Sequence, residues 1–174
     1  QQDLPFYFVQ LSSINRPSWP AFRDSQRLLA NSLSNVYMAV SSDVGHPTDV
    51  HPKYKLIIGE RLANLIRQHT YKEKLNAESP QPVKYRKSEG KLIIDFNNCK
   101  SLTTKNNDII QDLEYITNRG EIIAINHATI EQNTLTIPLE SNLKSVRYGY
   151  TPYTEGNLFN ESNVPVSTFN ISID

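Results

Sequence analysis

The spacing of apolar residues changes part-way along this chain, and that change is the strongest limit on what it can fold into. Before residue 70, two short and almost continuous apolar runs, at residues 5–11 and 36–40, are each followed by a segment with helical spacing. Such runs are typical of strands buried on both faces. The resulting β–α–β–α order predicts a parallel sheet covered by helices.

Two helices are expected in this first segment. Ser18 has the residue type of an N-cap, and Trp19 and Pro20 then open the first helix. Its apolar stripe, which we expect to face the core, consists of Phe22, Leu28 and Leu29. Pro52 is expected to open the second helix. The apolar side of that helix consists of Tyr54, Ile57, Ile58, Leu62, Leu65 and Ile66.

Beyond a polar, proline-containing linker at residues 71–82, the apolar residues alternate with period two. Four such runs, at residues 91–96, 121–125, 134–137 and 145–150, are separated by turn signals such as Glu89-Gly90 and Gln132-Asn133. Short strands separated in this way predict an antiparallel β-sandwich over residues 83–174. The expected fold class is therefore a partial α/β segment over residues 1–70 followed by a β-sandwich domain.

Residues 1–70 are too few to form an independent α/β domain. Two parallel strands and two helices cannot cover both faces of a sheet, which generally needs three or more strands for stability. Two arrangements remain open: the segment packs on the sandwich, or it is the end of a larger α/β domain. In the second case the strand at residues 6–11 exposes an unpaired edge, and we expect an oligomer or an exchanged segment to cover it.

Composition and charge exclude several classes of protein. The formal net charge is zero, so nothing favours nucleic acid or an anionic membrane as a partner. No apolar run approaches the roughly 20 residues that span a bilayer. The single cysteine, Cys99, excludes an internal disulfide and a multi-cysteine zinc site. His69 and His127 have no partner at metal-binding spacing, so we expect no metal and no cofactor.

A carboxylate and an imidazole two residues apart, Asp49 and His51, lie in the loop between the second strand and the second helix. Such a pair can be the acid–base part of a serine hydrolase. It can equally be a solvated surface pair, with Asp49 favoured by the dipole of the following helix. No serine lies in a Gly-x-Ser-x-Gly or Gly-Asp-Ser motif. The candidate nucleophiles are Ser12, Ser13, Ser41 and Ser42. The last two follow the strand that is nearest to His51 in the sequence.

Several short motifs, in order, resemble the closing part of the sialate O-acetylesterase family, which belongs to the SGNH/GDSL hydrolases. In the first segment these are FYFVQL (6–11), FRDSQR (22–27), MAV (38–40), DVG (43–45), DVHPK (49–53) and GERLA (59–63). In the second they are VRYGY (146–150), GNLFN (156–160) and VPVSTF (164–169), which resemble the end of the family's β-rich C-terminal domain. Each motif is weak, but their succession covers nearly the whole chain.

The resemblance implies a flavodoxin-like esterase domain, periplasmic or secreted, that deacetylates O-acetylated sialic acid or a related sugar. His51 matches the family's catalytic histidine, and Asp49 is the nearest match to the carboxylate that orients it. Many relatives carry that carboxylate three residues before the histidine, where this chain has Thr48, so Asp43 is a second candidate. The family's Gly-Gln-Ser-type block is absent from this sequence, so the serine is expected in a missing N-terminal half of the hydrolase domain.

A second hypothesis assigns no catalytic function to the chain. The chain would then be a β-sandwich module for carbohydrate binding or domain docking, with a residual α/β appendage. Tyr148, Tyr150 and Tyr153 could provide a surface on which a sugar stacks. Their alternation with apolar residues is at least as typical of one inward face of a strand.

Overall fold

The computed structural model describes residues 4–105 and 108–173. Over these residues the chain is mostly β, with two helices and several antiparallel sheets. The helices are α1 (Trp19–Ser32) and α2 (Lys55–His69), and a short 3₁₀ turn covers Ser42–Val44. The strands are β1 (Phe6–Val9), β2 (Val36–Ala39), β3 (Gln81–Ser88), β4 (Lys91–Asn97), β5 (Leu102–Thr104), β6 (Leu113–Thr117), β7 (Ile122–Ala124), β8 (Thr129–Glu131), β9 (Thr134–Pro138), β10 (Leu143–Tyr148), β11 (Leu158–Asn160) and β12 (Phe169–Ser172).

Strands β1 and β2 form a two-stranded parallel sheet, in register from Phe6 opposite Val36 to Val9 opposite Ala39. Among the described residues β1 has no strand on its other side. The expectation that this run is buried on both faces is wrong for β1, because Phe6 is 61% exposed and Val9 is 37% exposed. The side chains of a strand point to the faces of its sheet, and the face of β1 that carries Phe6 is open to solvent in the described part of the chain.

Helix α1 begins at Trp19 as predicted, but it turns the opposite face to the core. Its predicted apolar stripe is exposed, with Phe22 at 55% and Leu29 at 52%. The buried face is polar and consists of Pro20, Arg23, Asp24 and Arg27. Ser18 makes no side-chain cap hydrogen bond. The inversion arises because the sandwich presents carbonyl groups to α1, and a guanidinium can satisfy them where an apolar side chain cannot.

Helix α2 begins at Lys55 and not at Pro52. Tyr54, before its first turn, has a non-helical backbone and is 70% exposed, which corrects its placement on the apolar side. Leu65 is the most buried residue of α2 and packs with Ala39 and Ala77 in a small core beneath the parallel strands. The helix starts later than predicted because the N–H of Lys55 donates to the carbonyl oxygen of Lys53 at 2.9 Å, which gives Tyr54 a non-helical backbone.

The rest of the chain is a sandwich of two four-stranded antiparallel sheets, in the orders β3-β4-β9-β8 and β12-β10-β6-β7, with β5 and β11 paired beside them. Its core contains Leu92, Ile94, Phe96, Leu135, Ile137, Val146, Tyr148, Leu158 and Phe169, among others. The predicted turn at Glu89 and Gly90 joins β3 to β4 as a two-residue hairpin. Both residues have positive φ, at 50° and 71°, as such a hairpin requires. Strand β3 starts inside the segment that the sequence suggested as a linker.

Buried hydrogen bonds join the first segment to the sandwich. Arg23 is fully buried and donates to the carbonyl oxygens of Gly149, Thr151 and Pro152 at 2.9, 2.6 and 3.1 Å. Nε2 of Gln10 donates to Oγ of Ser167 at 2.7 Å. The first segment therefore packs on the sandwich, which is one of the two arrangements that its sequence left open. Neither α1 nor α2 is long and apolar enough to cross a membrane.

Candidate active site

The loop that follows β2 carries the predicted acid–base pair. Oδ1 of Asp49 accepts a hydrogen bond from the backbone N–H of His51 at 2.8 Å and lies 3.5 Å from its Nδ1 atom. The imidazole is 81% exposed. The hydrogen bond from His51 N–H is the main cause that lowers the pKa of Asp49. An ionised carboxylate beside Nδ1 is what a serine hydrolase uses to fix the histidine tautomer, which leaves Nε2 to take the proton.

His46 organises this loop, a role that the sequence did not indicate. Its Nδ1 atom accepts hydrogen bonds from the backbone N–H groups of Asp49 at 3.0 Å and Thr48 at 3.3 Å. An Nδ1 that accepts must be unprotonated, so the ring proton of the neutral imidazole lies on Nε2. These bonds make a turn over residues 46–49 and set the backbone from which the Asp49 side chain reaches His51.

Gly45 anchors the base of the loop. A Cβ atom placed there would lie 2.1 Å from the carbonyl oxygen of Ser13, and the N–H of His46 donates to the same oxygen at 3.1 Å. Only glycine allows two backbones to approach this closely. Ser13 is itself fixed, because its buried hydroxyl contacts the carbonyl oxygens of Ser42 and Thr154, each at 2.7 Å.

Asp43, the second candidate for orienting the histidine, has another partner. Its two carboxylate oxygens each accept a hydrogen bond from Arg61 at 2.7 Å, and both side chains are less than 10% exposed. Nη1 of Arg61 also donates to the carbonyl oxygen of Val40 at 2.8 Å. Among the described residues no hydrogen bond or ion pair joins Asp43 to His51. This bidentate pair fixes α2 to the end of β2. Asp43 and Arg61 are far apart in the sequence, so no local pattern predicts their contact.

Three of the four serines that were candidate nucleophiles, Ser13, Ser41 and Ser42, are buried. The Ser41 hydroxyl is buried and donates to the carbonyl oxygen of Gln10 at 2.6 Å. Ser13 makes the contacts described above, and Ser42 is 4% exposed. A nucleophilic serine needs a hydroxyl that is open to substrate and hydrogen-bonded to the base. In the described part of the chain, none of these three hydroxyls meets both conditions.

The remaining candidates have ordinary structural surroundings. Burial raises the pKa of Cys99 to about 11, which keeps its thiol protonated. Tyr148 belongs to the sandwich core, and its hydroxyl accepts a hydrogen bond from the N–H of Leu158, so the three tyrosines do not share one exposed face. A hydrogen bond to Glu155 is the main cause that raises the pKa of Tyr153 to about 12. No metal-binding group of three His, Cys, Asp or Glu side chains occurs within residues 4–105 and 108–173.

Comparison with known proteins relates this chain to a solved enzyme structure. No protein-family model and no curated protein matches the sequence. The crystal structure of XAC1771, a carbohydrate acetylesterase from Xanthomonas citri, is similar to this chain, with a TM-score of 0.87 and 26% sequence identity. The similarity covers 96% of this chain and 40% of that chain. The chain therefore has an esterase-like fold and spans well under half the length of the enzyme that it resembles.

Proposed function

We propose that this chain is part of a carbohydrate acetylesterase and that it supplies the general base, His51. The observation that carries the proposal is the structural similarity to XAC1771 over 96% of the chain. The loop chemistry agrees with it, because a carboxylate lies against the Nδ1 side of an exposed imidazole. The contact of 3.5 Å is long, as catalytic hydrogen bonds often are before substrate binds.

The proposed reaction is the hydrolysis of an acetyl ester on a sugar. His51 takes the proton of a serine hydroxyl as its oxygen attacks the acetyl carbonyl, and the tetrahedral intermediate then expels the sugar alcohol, which receives that proton. Water, activated by the same imidazole, releases acetate from the acyl-enzyme. Asp49 holds the tautomer with Nε2 unprotonated. The motifs shared with the sialate O-acetylesterase family favour an O-acetylated sialic acid or a related acetylated sugar as substrate.

The serine and the oxyanion donors are proposed to come from an N-terminal half of the hydrolase domain that packs against β1 and α1. Three features support this. Strand β1 lacks a neighbour on one edge within the described residues, Phe6 is exposed beside it, and Phe22 and Leu29 form an exposed apolar stripe on α1. A sheet extended past β1 would cover the edge and give the stripe a partner.

The proposal is tested on the complete natural protein. The sequence encoded upstream of residue 1 is first searched for a Gly-Gln-Ser-type block. With an acetylated sugar as substrate, His51→Ala is expected to lower kcat by roughly 10²–10⁴-fold, the usual contribution of general acid–base catalysis. Asp49→Asn is expected to lower kcat less and to shift the pH profile. Asp43→Asn should mainly lower the melting temperature, because it breaks the pair with Arg61.

His127→Ala is the matched control, because His127 is exposed and lies in the sandwich, far along the chain from the loop. It should leave both kcat and stability unchanged. Unchanged esterase activity in folded His51→Ala protein would overturn the assignment of the base. An equal loss of acetate release in His127→Ala would show that the loss of activity in His51→Ala is not specific to the loop.

A further inference from the structure

We propose that a cleft between α1, β2 and the start of β3 is a second carbohydrate site, which binds a neutral sugar residue of a glycan chain. We call it the amide cleft after the five carboxamide residues in its lining: Asn31, Asn35, Gln81, Asn97 and Asn98. Its volume is about 380 Å³, within the range of about 300–1,000 Å³ that small-molecule sites occupy.

Gln81 supplies the strongest sign that the cleft takes a ligand. The residue is 5% exposed, and its Oε1 atom accepts hydrogen bonds from Arg27 at 3.4 Å and Asn31 at 3.3 Å. These two donors fix which end of the amide is oxygen. The NH₂ group then has no hydrogen-bond partner among the described residues and keeps contact with solvent, so it is available to a ligand in the cleft. A sugar hydroxyl in the cleft would accept this hydrogen bond.

The rim adds further polar groups of the same kind. Asn97 is exposed and makes no side-chain hydrogen bond with the described residues. Asn98 donates to the carbonyl oxygen of Ser79 at 3.2 Å, which leaves its own side-chain oxygen as an acceptor. Each carboxamide offers both donors and acceptors. That mixture fits the hydroxyl groups of a sugar, which also donate and accept.

The cleft also has an apolar part. Leu33 and Val83 lie in its lining and are 50% and 57% exposed, and Met38 is buried beneath them. Sugar rings have an apolar face of C–H groups beside their hydroxyl edge. Pockets that combine an apolar surface with a few placed polar groups bind such amphipathic ligands with defined orientation.

Charge limits the class of sugar. No lysine or arginine occurs among the residues that line the cleft, and its single charged residue is Glu78, whose Oε1 atom is 2.8 Å from Nε2 of His69. A carboxylate-bearing sugar would meet a carboxylate and no cation. The cleft therefore favours neutral sugar residues over sialic or uronic acids.

The cleft is distinct from the His51 loop. Its lining takes Val36, Tyr37 and Met38 from β2 and includes no residue between positions 39 and 64. None of the residues of the His51 loop therefore borders the cleft. Hydrogen bonds also fix a wall of the cleft, because Ser79 donates to the carbonyl oxygen of Pro165 at 2.8 Å. A bound chain would be held at a second point, away from the reacting ester.

Titration of the ¹⁵N-labelled chain with xylotetraose and cellotetraose, followed by amide shifts, tests the proposal without requiring esterase activity. Saturable shifts are expected around the cleft with at least one neutral tetrasaccharide, and tetragalacturonate should bind at least tenfold more weakly. Asn97→Ala and Val83→Glu, both at exposed positions, should each raise Kd at least tenfold. Asn126→Ala, an exposed asparagine away from the cleft, is the matched control and should leave Kd unchanged.

The proposal is overturned if neither neutral sugar gives saturable shifts. It is also overturned if Kd does not respond to the cleft variants, or if tetragalacturonate binds as tightly as the neutral sugars. Because the readout is binding, these outcomes are independent of whether His51 acts as a base. A failed esterase assay with intact sugar binding would reject the catalytic proposal and retain this one.

Discussion

His46 sets the backbone geometry of the loop that carries the candidate catalytic pair, Asp49 and His51. It does so as a hydrogen-bond acceptor and not through its own ring proton. Its Nδ1 atom accepts the backbone N–H groups of Thr48 and Asp49, and Asp49 then contacts His51. The sequence placed a histidine in this loop without indicating its function. A histidine can act as a base, a ligand or a hydrogen-bond acceptor, and only the positions of its neighbours distinguish these roles.

His46→Asn is expected to preserve the loop, because an asparagine side-chain oxygen also accepts N–H groups two and three residues further on. His46→Ala removes the acceptor and should lower kcat of the complete enzyme by about tenfold to a hundredfold, the scale that a small misplacement of a catalytic group costs. In the chain alone, amide exchange of Thr48 and Asp49 should be faster in His46→Ala and unchanged in His46→Asn. Equal exchange in both variants would contradict the role given to His46.

Helix α1 shows why the hydrophobic pattern of an element does not identify its partner. Phe22, Leu28 and Leu29 were predicted to face the core, and the helix was found to bury Arg23, Asp24 and Arg27. The pattern indicated an apolar side, and that side is exposed in the described part of the chain. It could not indicate that the sandwich covers the other side, because that choice depends on carbonyl groups more than 100 residues away in the sequence.

Arg23→Leu is expected to destabilise the chain by about 3 kcal/mol or more, since each buried carbonyl oxygen left without a donor costs about 1–3 kcal/mol. Burial lowers the pKa of Arg23 to about 10, so the guanidinium stays charged at neutral pH and its donors stay available. Chemical denaturation measures the effect. Leu28→Gln, at an exposed position on the same helix, is the control and should change the free energy of unfolding by less than about 0.5 kcal/mol. A similar loss in both variants would contradict the role given to the Arg23 hydrogen bonds.

His69, at the C-terminal end of α2, is expected to make the stability of the chain depend on pH. The His69 ring stacks on Tyr37 with centroids 3.7 Å apart, and its Nε2 atom is 2.8 Å from Glu78 without hydrogen-bond geometry. Burial is the main cause that lowers the pKa of His69 below its ordinary 6.5, aided by Lys72 and opposed by Glu78. The unfolded chain therefore binds the proton more readily, and stability falls as the pH drops through about 6.5.

His69→Gln should flatten the loss of stability between about pH 7.5 and pH 5.5, because the side chain no longer takes up a proton on unfolding. Urea denaturation at several pH values measures the slope. His127→Gln changes an exposed histidine and should leave the slope as it is. The same slope in His69→Gln and in the unchanged protein would contradict the assignment.

For the whole molecule, the exposed edge of β1 and the exposed stripe of α1 predict self-association of this chain when it is produced alone. Leu4 and Phe6 are 75% and 61% exposed as well. Sedimentation analysis should show association that increases with concentration, and Phe6→Lys with Leu29→Lys should reduce it without loss of melting temperature. The complete protein, in which the proposed N-terminal half covers these surfaces, should not associate through them. A strictly monomeric chain at high concentration would count against the unpaired edge.

Local patterns in the sequence were sufficient for the two helices, the parallel order of β1 and β2, the turn at Glu89-Gly90 and the β-rich character of the rest of the chain, because each depends on spacing within a few residues. Strand β3 was missed because most of its residues face solvent, and an exposed strand carries no apolar alternation. Asp49 and His51 could be singled out for the same local reason. The burial of Arg23, the pairing of Asp43 with Arg61, the contact of Gly45 with Ser13 and the amide cleft join residues far apart in the chain, so packing alone could reveal them.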